Sequence, residues 1–550
     1  MLVERVILGT LSLLLLATPM PGCGQTGLRE GFKDPPNSAR PRVYWYWQNG
    51  NITKDGLTKD LEWMHRAGVG GVETFDVAVT TPTVVTPRLI YMQPAWKDAF
   101  HHALQLTDRF GMEVTIGAAP GWSQTGGPWV KPANAMKKLV WTETRIQGGQ
   151  HFQGSLPQPS QINGPFGDQP HATRPDRPIP VMPTLYKDQL VLAFPAPATD
   201  TALAQAKPIV TSSGGSFTYD NLIEGKYAET VDLPAVPGDT SWIQIAFAAP
   251  QTVRGVTIAS PDTLQAVEEN AGAQRLEVSD DGVYFRNVID LPKTLLYQRT
   301  YAFAPITGRY FRYCLPAVAA TPFKISRFVL RTATPVNRFE EKSGFGAVND
   351  FYEIATPPAE AGGVIRTSSV VDLTSKMGSD GTLEWTAPAG DWVVLRMGYS
   401  LTGQTNAPAP LEATGFEIDK LKMGATKAFM DEYLKLYEDA SGGMLGKHGI
   451  NNVATDSWEA GFANWTDGIL TEFKRLRGYD PSPWLPALTG RIVQSSDETI
   501  ASCGISVEPS RTWSFRPISI RCGTACMRAG WDTLQKPWRH GVQPSATPWK

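Results

Sequence analysis

The chain has 550 residues, more than one ordinary hydrophobic core organises, so two or three domains are expected. Hydrophobic residues at 42% and charged residues at 19% exclude a disordered chain. A formal net charge of -2 removes any electrostatic case for nucleic acid or an anionic membrane surface as partner.

Residues 1–23 have the form of an export signal. Arg5 supplies a charged start, and Val6 to Leu16 an apolar stretch too short to span a bilayer. Met20-Pro21-Gly22-Cys23 is a loose match to a lipoprotein box, in which the Cys is lipidated after cleavage; plain secretion is the alternative. The expected location is therefore exported: periplasmic, outer-membrane lipoprotein or secreted. No later apolar run is long enough for a transmembrane span. The remaining cysteines, Cys314, Cys503, Cys522 and Cys526, form no CxxC pair and have no matching His spacing, which argues against zinc.

From about Arg40 the chain alternates between two periods. Arg42 to Trp47 is a strand-like run closed by the turn Gln48-Asn49-Gly50-Asn51. Thr53 is an N-cap for a helix through Ala67, with Leu57, Leu61 and Met64 on one face. A strand at Val69 to Val77, a helix at Ala95 to Phe110 and a strand at Glu113 to Ala119 follow. This alternation predicts a parallel sheet or (β/α) barrel whose first part covers residues 40–147. Residues at the strand C-terminal ends of a barrel face its active site, so Asn49, Glu73, Asp76 and Trp122 are candidate binding residues. A strand-end carboxylate also serves as a helix cap or salt-bridge partner. Seventeen Trp and sixteen Tyr suit stacking on the C–H faces of sugar rings, or simply a core.

After about Gln147 the pattern becomes all-β. Short alternating runs at Trp242 to Phe247, Val253 to Ile258, Arg275 to Val278 and Tyr310 to Tyr313, with turn signals between them, describe a sandwich. Leu276 to Pro292 (LEVSDDGVYFRNVIDLP) and Gly308 to Tyr313 (GRYFRY) resemble the discoidin-like carbohydrate-binding sandwiches, over residues 209–332. Residues 335–401 form a second β-rich element. Helical periodicity returns at Asp419 to Ala440, and Ile450 to Gly461 (INNVATDSWEAG) is an apolar strand running into polar residues. A helix at Asp467 to Arg477 follows, so residues 402–499 read as the barrel resuming.

Glycoside cleavage needs one carboxylic acid to protonate the leaving oxygen and a second carboxylate to activate water or attack carbon. Asp456 and Glu459, three apart beside Trp458 where a strand gives way to a loop, place two carboxylates at a barrel rim. A turn-capping Asp and an Arg-paired Glu would occupy the same positions.

Three stretches resemble glycoside hydrolase family 106. They are Pro41 to Val77, Gly390 to Lys420 (GDWVVLRMGYSLTGQTNAPAPLEATGFEIDK) and Asn451 to Gly490 around TDSWEAG. The resemblance implies an interrupted (β/α) barrel, inverting hydrolysis of terminal α-L-rhamnosides in a rhamnose-containing glycan or glycoside, and a calcium ion at the sugar site. It makes Glu459 the catalytic acid and Asp456 the carboxylate that orients it or the sugar; Trp458 beside them and the rim residues Asn49, Glu73 and Trp122 are the substrate-binding candidates. Asp456, Asn406 and Glu73 offer oxygen ligands for calcium, and no ligand set can be fixed from one sequence. Another barrel glycosidase of the β-galactosidase-like kind and a non-catalytic sugar-binding surface protein are the alternatives.

Residues 500–550 depart from this pattern. They carry three of the five Cys and four of the Trp, almost no acid and no sustained period. Read two nucleotides later, with synonymous codons chosen freely, they can give an amphipathic helix and an acidic segment of barrel type. A frameshift near Ile500 would remove the closing half of the barrel, and the general base with it. The expected fold is thus multidomain, α/β plus all-β: a (β/α) barrel interrupted by β-sandwich insertions and incomplete at its C-terminus.

Overall fold

The computed structural model describes residues 25–171, 179–235, 238–261, 274–292, 296–316, 322–346, 355–446, 449–455 and 460–502. The chain divides into two units, one formed by residues 1–77, 81–118 and 435–455, the other by residues 78–80, 119–434 and 456–550.

The first unit is built on a parallel sheet in the order β1 (Arg42–Gln48), β2 (Gly71–Val77), β3 (Glu113–Gly117), β18 (Ile450–Ala454). Ahead of it lies α1 (Gln25–Lys33). The connections β1–β2 and β2–β3 carry α2 (Lys54–Arg66) and α3 (Pro94–Phe110). As expected, Thr53 caps α2, its Oγ1 accepting the Gly56 N–H at 3.0 Å, and Leu57, Leu61 and Met64 are the buried stripe. Gly111, at φ +66, ends α3 in the left-handed conformation that a side chain would strain.

Strand period gives the sheet two unlike faces. Trp45 and Trp47 point to the helices. The Trp45 indole donates to Asp60 at 3.1 Å, and Trp47 packs edge-on to Trp96 and Phe100 at 5.5 and 5.9 Å. Asp76 shares that face and is buried, its Oδ1 accepting the Trp96 indole N–H at 2.9 Å. Tyr44, Tyr46, Glu73 and Phe75 lie on the other face. Tyr44 and Tyr46 stack at 5.6 Å and remain 61% and 39% exposed, so this face is open at β1.

The second unit is largely antiparallel. A four-stranded sheet runs β15 (Val371–Asp372), β6 (Tyr186–Pro195), β17 (Asp391–Leu401), β4 (Lys137–Gln147). β17 and β4 pair without a break from Asp391↔Gln147 to Leu401↔Lys137. β16 (Thr382–Thr386) and β5 (His151–Ser155) form a two-stranded ribbon. Around β6 and β17, Phe194, Leu395, Phe339, Trp465 and Ile492 make one core.

The second sheet of this unit is six-stranded. Its path is β11 (Arg286–Leu291), β10 (Gln274–Ser279), β12 (Gln298–Leu315), β9 (Ser241–Ala259), β14 (Arg327–Arg331), with β7 (Ile209–Ser212) also on β9. β8 (Val231–Leu233) pairs with β13 (Phe323–Ile325), and α4 (Tyr219–Glu224) packs nearby. The runs at Trp242 to Phe247 and Val253 to Ile258 are one strand rather than two. β9 passes through Pro250 by a shift in register, since a proline cannot donate to the ladder.

α5 (Phe339–Lys342) is a single buried turn. The helix expected from Asp419 starts only at Met423, as α6 (Met423–Ser441), because Asp419 and Lys420 are held in a buried ion network. α7 (Ile469–Arg477) and α8 (Ser496–Ser502) close the described chain. Among the described residues no helix is long and apolar enough to cross a membrane.

Burial raises the Asp76 carboxyl to about 7, the Trp96 hydrogen bond opposing this only in part. An acid whose pKa is higher folded than unfolded loses stability as pH rises from about 4 through 7. Asp76→Asn keeps an acceptor for Trp96 and cannot ionise. Its advantage over the native protein should be near zero at about pH 4 and on the order of 3 kcal/mol above pH 7 in denaturant titrations. Parallel pH dependence in the two proteins would show that Asp76 is ionised in the fold.

Candidate active site

The four parallel strands end at one edge, where β1 delivers the turn Gln48-Asn49-Gly50-Asn51. Gly50 is required there: at φ +65, a Cβ would lie 1.9 Å from the Leu89 carbonyl oxygen. Asn49 donates its main-chain N–H to Val77 O at 2.6 Å and its carboxamide N–H to Thr81 O at 2.9 Å. The Asn51 side chain accepts from Val84 N and Val85 N and donates to Gln48 O and Pro82 O. Two asparagines thus pin residues 81–85 over the ends of β1 and β2. The pinning uses side-chain amides where no ladder hydrogen bonds remain.

Glu73 sits in the middle of β2, half-buried, between Tyr44 of β1 and Thr115 of β3 in register. It shares the open face with the Tyr44–Tyr46 stack, to which Phe75 adds an edge at 5.7 and 5.9 Å. Asp76 points the opposite way, beneath α3, and takes no part in this surface. A carboxylate beside stacked, accessible aromatic rings is a surface that fits a sugar ring. β18, parallel to β3, brings the chain to the same edge at Thr455. Asp456, Trp458 and Glu459, the sequence candidates for catalysis and binding, lie outside the described residues.

Trp122 belongs to the second unit, in the loop 119–130. Its main-chain N–H donates to Ala407 O at 3.0 Å, the Asn406 carboxamide donates to Pro120 O at 2.9 Å, and Ala407 N–H donates to Ser123 Oγ at 2.9 Å. Gly121, at φ +81, lets the two backbones touch, because a Cβ would meet the Ala407 carbonyl carbon at 2.7 Å. Asn406 also donates to Ala413 O and accepts from Gly415 N–H, so its side chain is engaged by backbone. It is committed to the loop rather than free for a cation. Among the described residues no three Asp, Glu, His or Cys side chains gather as a metal site, and Asp456, one of the calcium candidates, lies outside them.

Sequence reading missed the charged side chains behind this loop. Glu417 and Asp419 are fully buried. Glu417 Oε2 accepts from Lys420 Nζ at 2.6 Å and from the Thr125 hydroxyl, while its Oε1 has no hydrogen-bond partner among the described residues. Asp419 Oδ2 accepts from Lys137 Nζ at 2.9 Å and from Thr466 Oγ1 at 2.6 Å. In sequence, Phe-Glu-Ile-Asp alternates like a half-exposed strand. The one available signal was three ionisable residues in four within a stretch that also carries the family resemblance.

Removing one member of a buried ion pair strands the other. Glu417→Ala should therefore lower unfolding free energy by about 3–5 kcal/mol in urea titration, and adding Lys420→Met should restore most of it. A loss below about 1 kcal/mol for the single variant would mean that water reaches the pair.

A model of the family described as alpha-L-rhamnosidase matches residues 33–500. The structure is similar to that of a rhamnosidase from Novosphingobium sp. PP1Y, with a TM-score of 0.81 and 39% identity, covering 93% of this chain and 46% of that one. A protein of Formosa agariphila that bears the name "Putative beta-glucuronidase" is 26% identical over 475 residues, 86% of this chain and 27% of its own length. The chain thus spans less than half the length of either protein. The family match extends over most of its residues, and the chain belongs to the glycoside hydrolase family 106 α-L-rhamnosidases.

Proposed function

We propose that this chain is built for hydrolysis of terminal α-L-rhamnosides in a polysaccharide or glycoside. The observation that carries the reading is its 39% identity, over 93% of its length, to a solved rhamnosidase. In this reading the parallel sheet of the first unit is part of a (β/α) barrel, begun within residues 40–147 and resumed within 402–499. Residues 209–332 then form a discoidin-like sandwich, and residues 335–401 a further β element. The strand alternation and the shared C-terminal edge support the barrel.

Glu459 would protonate the glycosidic oxygen, and Asp456 would orient Glu459 or the sugar. Like charge close by helps to keep one carboxyl protonated near neutral pH. Trp458, Asn49, Glu73 and Trp122 would contact the sugar. Inversion needs a base across the pocket with room for water, about 6.5–9.5 Å from the acid. The family match runs to residue 500, where composition changes, which supports a shift of reading frame there. The base would then fall in the part so lost, leaving this chain inactive. A calcium ion, when bound, would polarise or position sugar hydroxyls. Asp456 and Glu73 would offer it oxygen ligands.

Nitrophenyl α-L-rhamnoside hydrolysis by a frame-restored chain tests the reading. Glu459→Gln should cut kcat by 10²-fold or more, about the range of a general acid, with sugar binding retained. Release of glucuronic acid or galactose in preference to rhamnose would overturn the substrate. Unchanged turnover in the variant would overturn the assignment of the acid. Export and lipidation at Cys23 predict that a fatty-acid label enters the native protein in cells and not Cys23→Ser; an unlabelled native protein would leave plain secretion.

A further inference from the structure

A cleft of about 250 Å³ opens in the second unit beside the end of β14, and no residue of the loop that holds Trp122 lines it. β4 contributes Glu143 and Arg145 to it, the chain after β6 contributes Asp200, β14 contributes Arg331, and the segment before α8 contributes Arg491. Both Nη atoms of Arg491 hold Glu143 at 2.6 Å, and Arg145 Nη2 meets Asp200 at 2.9 Å. Burial opposes ionisation of Glu143, yet Arg491, Arg331 and Arg145 together hold its carboxyl below the usual range. Three guanidinium groups therefore face two carboxylates, leaving one positive charge.

That charge is Arg331. Its Nε donates to Thr257 Oγ1 at 3.0 Å, and its two Nη atoms have no partner among the described residues. The side chain stays exposed in the cleft. Beside it are the Tyr219 ring and an apolar wall of Leu203 and Ile223. A guanidinium fork with both ends free matches a carboxylate in two parallel hydrogen bonds. One net positive charge suits a monoanion better than a phosphate dianion, which Glu143 and Asp200 would repel. The apolar wall offers a surface to the C–H face of a pyranose, and the volume has room for one ring.

We propose that this cleft binds an acidic sugar residue, a uronate, with its carboxylate on Arg331 and its ring against Leu203 and Ile223. The site would hold an acidic glycan through residues other than those proposed for cleavage. The sugar half of the assignment rests on the glycan-processing function proposed above; the monoanion half rests on the charge balance alone.

Calorimetric titration of the full chain with sodium glucuronate, glucose and sodium sulfate tests it, independently of hydrolysis. Glucuronate should bind, weaken with added salt, and bind at least about tenfold more tightly than glucose. Arg331→Gln should weaken it about tenfold or more, and Arg331→Lys, which keeps charge and bulk but loses the fork, several-fold. Thermal unfolding would show each variant folded; if Arg331→Gln is not, Arg331→Lys decides. Absence of glucuronate binding, equal affinity for glucose, sulfate binding as tight as glucuronate, or an Arg331 variant equal to the native chain would each overturn the site. Glucuronate binding together with no rhamnoside hydrolysis by the frame-restored chain would leave this site standing and remove the enzymatic reading.

Discussion

Lys137 and Asp419 face each other with no access to water, and that constraint organises the second unit. A buried charge is tolerated only when paired and hydrogen-bonded, so each residue needs the other in place. Lys137 completes its set with the carbonyls of Ala133 and Ala135, and Asp419 with Thr466 and the Leu421 N–H. The first residue of β4, the segment before α6 and the segment before α7 are thereby brought to one point. They are 282 residues apart for Lys137 and Asp419, and the six-stranded sheet lies wholly within that span. Whatever the intervening chain does, it must leave and return here.

The neighbouring pair extends the same logic toward the loop that holds Trp122. Glu417 takes Lys420 and the Thr125 hydroxyl, which fixes the loop 119–130 against the segment 402–417. Backbone contacts through Gly121, Asn406 and Ser123 complete the attachment. Such a network adds little net stability over an apolar core of the same shape. Its value lies in geometry, because each ion fixes the direction of its partner. Such fixing would suit the role proposed for Trp122 as a sugar contact.

The first unit divides its work between two faces of one sheet. Trp45, Trp47 and Asp76 meet the helices, and Tyr44, Tyr46 and Glu73 stay on the open side. A one-residue slip in β1 would exchange the tyrosines for the tryptophans. The indole bond from Trp45 to Asp60 resists that slip, because it would be lost. The buried Asp76, on β2, holds Trp96 of α3 against the sheet and is not a member of the open surface.

Much of this was legible from residue order. The periods of the first hundred residues located β1, α2, β2, α3 and β3, because capping, apolar spacing and turn glycines are local physics. The spacing of short β runs located the six-stranded sheet, although β9 merges two of them. Residue order could not say which side of β1 would be covered, since RVYWYW offers an aromatic ring to either face. Nor could it show that Glu417 and Asp419 are buried, because their partners Thr125, Lys137 and Thr466 lie far along the chain. Pattern by itself determined the α/β and all-β elements, and the resemblance of three stretches pointed to the family. Tertiary structure decided which charges lose their water, and so which of them hold the scaffold and which, like Arg331, keep donors without a partner among the described residues. Desolvation depends on neighbours that only folding brings together.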